Sequence, residues 1–336
     1  MPTLWTDVID PATLTGYMRE SLAAYEKAKG SLERWLGNET VPDIAVSFAV
    51  GQFGLTQTAR FRAFDAEPEY TKEEGGKRVM IELPAIGQKI AISEYRALRQ
   101  RNAGDQAMLD SILRSADRVV RGVADRMELL RGVVLDTGVA TVNQSNFLIA
   151  DDFGRPAGHT VTAATLWSDP AADRIDDMLA WQEAYFATNN VNPGVQLMST
   201  SGYSNFRKGD QFQNNVTGRP MTQSEINSIM VDEGLAPIVI FDRRVNFEGT
   251  LTPVIPANKL LLLPRPEESD AMGRTYWGTT LTATDLGWGI ADDEQAGIVA
   301  GVYRNEQPPV IAEVISDAIG MPVLGNAALS FSATIF

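Results

Sequence analysis

The chain has 336 residues, 44% hydrophobic and 21% charged, which is long enough for two compact folding units with a sizeable buried core. A formal net charge of −14 argues against wrapping nucleic acid over the whole surface, because such binding relies on many Lys and Arg at phosphates. The absence of cysteine and the presence of one histidine, His159, exclude disulfides, thiolate nucleophiles, Cys-based zinc sites and two-His metal sites, and leave His159 as the sole candidate base for a Ser-His-Asp triad.

The N-terminal sequence has no basic region followed by an apolar run, and no stretch reaches the ~18 apolar residues of a membrane span, so neither a signal peptide nor a span is expected. In "DPATLTGYMRESLAAYEK", Pro11 follows Asp10 and Leu14, Met18, Leu22 and Tyr25 fall at helical spacing, which predicts a helix. Trp5, Trp35 and Leu36 stand as apolar anchors in a segment expected to dock on something else. Residues 53–94 read as a long hairpin. "FGLTQTARFRAFDAEP" leads out, "KRVMIELPAIGQKIAIS" returns, and Gly75-Gly76 marks the turn in the charged "EPEYTKEEGGKR". A two-stranded ribbon is marginal alone in water, so this one must lie on its own domain or on another chain.

The clearest element is "DQAMLDSILRSADRVVRGVADRMELLRGVVLDTG". Leu109, Ile112, Ala116, Val119, Val123, Met127, Leu130 and Val134 step by three and four, which predicts an amphipathic rod over 105–137, roughly 50 Å long. Asp110–Arg114 and Asp117–Arg121 are expected i,i+4 ion pairs, and Gly122 and Gly132 are expected bends. A strand-rich stretch follows, with His159 expected in an exposed turn after "FGRPAG". The next helix, in "AADRIDDMLAWQEAYFATNN", is expected to bury Ile175, Met178, Leu179 and Phe186. Beyond it, "VQLMST" and "PIVIFD" read as strands, "SGYSNFRKG" and "TQSEINSIMVDEGL" as short helices, and the last 40 residues as β-structure.

No motif in the sequence carries recognisable catalytic chemistry. Asp169, Asp173, Asp176 and Asp177 lack the alternation and Gly of a calcium loop and fit the acidic first turn of a helix. Asp292-Asp293-Glu294 is a second carboxylate group without a partner site readable from sequence. No Gly-rich phosphate loop occurs, and "GRTYWGTT" reads as a strand with turns. Neither a metal nor a cofactor is expected.

The order of elements and five motifs carry a resemblance. "SDPAADRIDDMLAW", "VQLMSTSGYSNFRK", "APIVIFDRRVNFEGTLTPVIPANKLLLLP", "MGRTYWGTT" and "PPVIAEVISDAIGMPVLGNAALSFSATI" resemble, in sequence, segments of the HK97-type major capsid proteins of tailed phages, and more closely the lambda-type major capsid protein E family. The resemblance implies an α+β fold with an N-terminal arm (1–53), an extended hairpin loop (54–93), a peripheral domain with the spine helix (94–169), an axial domain (170–305) and C-terminal β-segments (306–336). It implies a non-enzymatic, self-assembling virion protein, made in the host bacterial cytoplasm, whose hexamers and pentamers close an icosahedral head around double-stranded DNA. Inter-subunit contacts are expected from the arm at Trp5 and from the hairpin tip at Glu67, Glu69, Lys72, Glu73, Glu74, Lys77 and Arg78. About fifty residues precede the hairpin, so a separate scaffolding protein is expected, together with a portal and a decoration protein. Two other readings are an encapsulin-like shell around enzymes and, from a different class, a carboxylate-based hydrolase.

Overall fold

The computed structural model describes residues 2–50, 77–95, 105–144, 147–213, 219, 221–305 and 307–336. In chain order the elements are β1 (Thr3–Leu4), α1 (Pro11–Lys29), β2 (Gly37–Thr40), β3 (Ala45–Val50), β4 (Lys77–Glu82), β5 (Ala85–Ile92), α2 (Asp105–Thr137), β6 (Val139–Gln144), β7 (Phe147–Asp152) and β8 (Thr160–Thr162). They continue with α3 (Arg174–Asn189), β9 (Val195–Met198), α4 (Thr200–Arg207), α5 (Gln223–Asp232), β10 (Ile238–Ile240), β11 (Arg244–Phe247), β12 (Thr250–Pro253) and β13 (Lys259–Leu263). The last are β14 (Gly273–Gly278), β15 (Val299–Arg304), β16 (Ala312–Leu324) and β17 (Phe331–Thr334).

The rod α2 is one helix of 33 residues, and its apolar stripe is buried from Ile112 to Val134. The expected bends have another purpose. A Cβ on Gly132 would lie 2.1 Å from the Val254 carbonyl oxygen, and one on Gly122 would lie 1.9 Å from Gln88 Oε1, so both glycines admit close neighbours. The rod ends where Gly138 turns to φ 74° and donates to the Val134 carbonyl at 2.9 Å. The Arg155 guanidinium caps that end, donating to the carbonyls of Asp136 at 2.6 Å and Leu135 at 2.5 Å, where the helix dipole favours a cation. The expected i,i+4 pairs do not form among the described residues. Asp117 instead accepts from Ser21 Oγ at 2.7 Å and Asp110 from Gln106, while Arg121 lies over the Tyr25 ring.

A six-stranded sheet runs in the order β1-β15-β16-β14-β2, with β5 also paired to β16. The 13-residue β16 carries it: Ala312–Asp317 lies between β15 and β5, and Ile319–Leu324 pairs with β14. Its buried residues alternate through the first half, as a sheet with one covered face requires. The cover is α2, and α1 packs on both α2 and β15. Leu14 and Met18 of α1 join Ile112, Val120, Val314 and Ala318 in one apolar cluster. Each fully buried Leu, Met, Ile or Val of this cluster contributes about 1.5–3 kcal/mol. The N-terminal segment therefore docks on its own subunit's rod.

The second sheet runs in the order β10-β9-β13-β17-β8. Its central strand β13 holds Leu260 to Leu263, all fully buried, because β9 and β17 flank it and both faces are covered. The hairpin β11–β12 turns at Glu248 (φ 50°) and Gly249 (φ 85°), the double positive φ of a tight two-residue turn. Helix α3 buries Arg174, Met178, Trp181, Tyr185 and Asn189, and leaves Phe186 exposed. The expected apolar face is therefore rotated, because the large rings of Trp181 and Tyr185 pack inward against Trp167 and His159. The two sheets interleave along the chain. β14 and β15 fall within residues 170–305 yet belong to the sheet under the rod, whereas β8 and β17 complete the other.

His159 corrects its expectation. It is 1% exposed, stacks on Tyr185, and its Nε2 lies 3.0 Å from Thr188 Oγ1; burial lowers its pKa. The loop "FGRPAG" closes in a short 3-10 turn, Ala157–His159, that carries His159 into the core just before β8. The hairpin also differs from the expected 54–93. Described pairing begins at β3, where Ala45–Val50 meets Lys77–Glu82 of β4. The return segment then divides at Leu83-Pro84, and β5 leaves to join β16. Residues 51–76 lie outside the described residues.

Candidate assembly surfaces

Sequence reasoning missed a buried polar cluster that ties the N-terminal segment to the rod. Glu128 and Arg131, 0% and 1% exposed, stand on the inward face of α2. The Arg131 guanidinium donates through Nε to Thr275 Oγ1 (3.0 Å), through Nη1 to Glu128 Oε2 (3.1 Å) and Ser31 Oγ (3.2 Å), and through Nη2 to Asn38 Oδ1 (2.6 Å). Glu128 also accepts from the Leu32 amide at 2.7 Å and from Ser31 Oγ at 2.9 Å. A second guanidinium, Arg243 at the head of β11, donates to the Gly30 carbonyl (2.8 Å) and to Asp125 (3.0 Å). Five parts of the chain thus meet: the loop after α1, β2, the rod, β14 and the β11 hairpin. A planar five-donor fork suits this role and an ammonium does not. The available signal was the i,i+3 pair Glu128–Arg131 lying beside apolar Met127 and Leu130.

Glu26 completes the cluster, 3.5 Å from Arg131. Burial, opposed by Arg131, pushes its pKa up to about 7 from an ordinary 4.5. A carboxyl raised on folding binds more protons in the native state. Its contribution to stability is therefore full below pH 4.5, declines as pH rises toward 7, and is lost above that. Glu26→Gln is expected to flatten the stability profile between pH 4.5 and 7 and to stabilise the subunit at pH 8 by on the order of 2 kcal/mol. Urea unfolding across that pH range checks it; an unchanged slope would refute the assignment.

Of the expected contact residues, Trp5, Lys77 and Arg78 lie among the described residues. Trp5 is half-buried on its own subunit, its amide donating to the Val302 carbonyl at 2.8 Å and its ring lying under Arg304 at 5.0 Å. Lys77 and Arg78 begin β4, paired with Val50 and Ala49. Glu67, Glu69, Lys72, Glu73 and Glu74 lie outside the described residues. Two leucines protrude elsewhere, Leu281 at 90% and Leu286 at 97% exposed, on a loop pinned from below by buried Trp288.

The carboxylate groups have structural partners. Asp173 caps α3 by accepting from the Asp176 amide at 3.2 Å, Asp177 accepts from Trp167 Nε1 at 2.9 Å, and Asp169 accepts from the Ala171 amide at 3.0 Å. Asp292 accepts from Gln295 within a short 3-10 turn. Among the described residues no three His, Asp or Glu side chains converge as a metal site would require, and no helix is long and apolar enough to cross a membrane.

Against known proteins, the family model "Phage major capsid protein E" matches residues 38–288, about three quarters of the chain. No curated protein matches it. Among solved structures, a prophage protein of Escherichia coli CFT073 described as a capsid protein superposes with a TM-score of 0.66 at 12% identity, covering 100% of both chains. A phage-related protein of Bordetella bronchiseptica RB50 gives 0.57 at 15% identity over 97% of each chain. A virus-like particle of Pyrococcus furiosus gives 0.50 at 10% identity, over 95% of this chain and 98% of its own. At such identities the likeness is one of fold, and it extends past both ends of the family match.

Proposed function

The chain belongs to the phage major capsid protein E family, a family of structural shell proteins, and from that membership we propose how its parts share the work of building the head. The protein is a phage major capsid protein of the HK97-like fold; it self-assembles, and its place is the virion capsid. In our reading the copies form hexamers and pentamers that close around double-stranded DNA. The family match over residues 38–288 carries this reading.

The rod, α1 and the six-stranded sheet form the peripheral domain, where a long rigid element can span the width of a capsomer. The five-stranded sheet with α3, α4 and α5 forms the axial domain. Its edge strand β10, with Ile240 45% and nearby Val231 74% exposed, offers an open edge for neighbours around the capsomer centre. The ribbon β3–β4 leads to the tip residues Glu67, Glu69, Lys72, Glu73 and Glu74, which with Lys77, Arg78 and the free face of Trp5 contact adjacent subunits. A scaffolding protein, a portal and a decoration protein are the further partners. Cryo-electron microscopy of shells tests the division: β10 is expected near the capsomer axis and α2 at the periphery. The reverse placement would overturn it.

A further inference from the structure

Beside the edge strand β10 lies a cavity of about 560 Å³, walled by α4, α5 and the strand itself. Met230, Leu235 and Ile238 give it an apolar wall, and Tyr203 lines it from α4. None of its lining residues is charged, on a chain that is 21% charged. Arg207, over the Tyr203 ring at 5.9 Å, lines a separate cavity with Thr200 and Ser204. This size, with apolar walls and few polar groups, is usual for a small-molecule site.

Three polar side chains next to this cavity keep atoms without a partner among the described residues. Tyr203 is 8% exposed, and its buried hydroxyl makes no hydrogen bond. Gln196 is fully buried opposite Ile238 in the β9–β10 register; its backbone amide donates to the Pro237 carbonyl at 2.9 Å, but neither atom of its side-chain amide is paired. Gln182 donates from Nε2 to the Gly234 carbonyl at 3.0 Å, beside Leu235, while its Oε1 accepts nothing. All three residues thus adjoin segment 234–238, which forms one wall. Buried polar groups are nearly always paired, so three left open along one segment call for a hydrogen-bonding partner there. A phenol and two amides are neutral, and a lining without charge would penalise an ion.

We infer that this cavity binds a small uncharged molecule with an apolar, ring-sized body and one amide or hydroxyl end. The polar end meets the Tyr203 hydroxyl, which can both donate and accept. The body lies against Met230, Leu235 and Ile238, where the Met230 thioether favours an aromatic ring. Bound there, the molecule ties α4 and α5 to β10.

Saturation-transfer NMR on the full-length protein tests this with three probes of one shape: benzamide, benzoate and benzamidinium. Benzamide is expected to bind at millimolar concentration and each ion at least about tenfold more weakly, since the cavity offers no counter-charge. Tyr203→Phe removes one oxygen and keeps the ring, and should weaken benzamide about three- to tenfold. Asn227→Trp, at an exposed lining position, should fill the mouth of the cavity and abolish binding. Melting curves show whether each variant is folded; should Asn227→Trp not fold, Ile240→Trp blocks the same mouth from the strand side. Failure of benzamide to bind, equal binding of either ion, indifference to Tyr203→Phe, or binding that survives the blocking change would each overturn the assignment.

Discussion

Arg131→Met is expected to cost the subunit about 3–5 kcal/mol, because it takes from the buried Glu128 carboxylate the nearer of its two guanidinium partners. Arg131 is 1% exposed, and its fork also holds Asn38 and Thr275, which join β2 and β14 to the rod. Arg131→Lys should recover only part of the loss, since an ammonium cannot reach three directions from one plane. Changing Glu128→Gln together with Arg131→Met removes both buried charges and should cost less than the two single changes summed. Urea unfolding of unassembled subunits reads all four proteins. A loss below about 1 kcal/mol for Arg131→Met would show that the cluster does not hold the N-terminal segment in place.

Gly132→Ala carries the second large effect, with a sign opposite to helix propensity. In an exposed helix interior this change gains about 1 kcal/mol. Here the new Cβ would lie 2.1 Å from the Val254 carbonyl oxygen and 2.8 Å from its carbonyl carbon, which are backbone atoms that cannot rotate away. The rod must separate from the segment after β12, at a cost of about 1–3 kcal/mol. Gly122→Ala is the matched control. Its Cβ meets the far end of the Gln88 side chain, which can swing aside, so the change should be near neutral or stabilising. Thermal melting of the two variants distinguishes them; equal stabilisation in both would mean that the approach at Val254 is not tight.

What could be read from the sequence was periodic. The rod, with its steps of three and four, falls where expected, as does α1. The run Leu260 to Leu263 is a strand buried on both faces. What escaped depends on contacts between residues far apart in sequence. His159 follows loop-forming residues, yet packing against Tyr185 and Phe331 draws it into the core. The face of α3 was misplaced because buried Arg174 and Asn189 look polar in sequence, whereas their hydrogen bonds to backbone carbonyls make them inward residues. The two sheets exchange strands through β14, β15 and β17, pairings that no local pattern encodes. Arg131 and Glu128 read as an ordinary surface pair until β14 and residues 31–38 close over them.

The central claim, that this chain builds a closed shell, is tested most directly by negative-stain electron microscopy of the protein produced alone and with a scaffolding protein. Closed icosahedral particles, capsomer rings or tubes are the result expected of a phage major capsid protein. A monodisperse monomer under both conditions would contradict it.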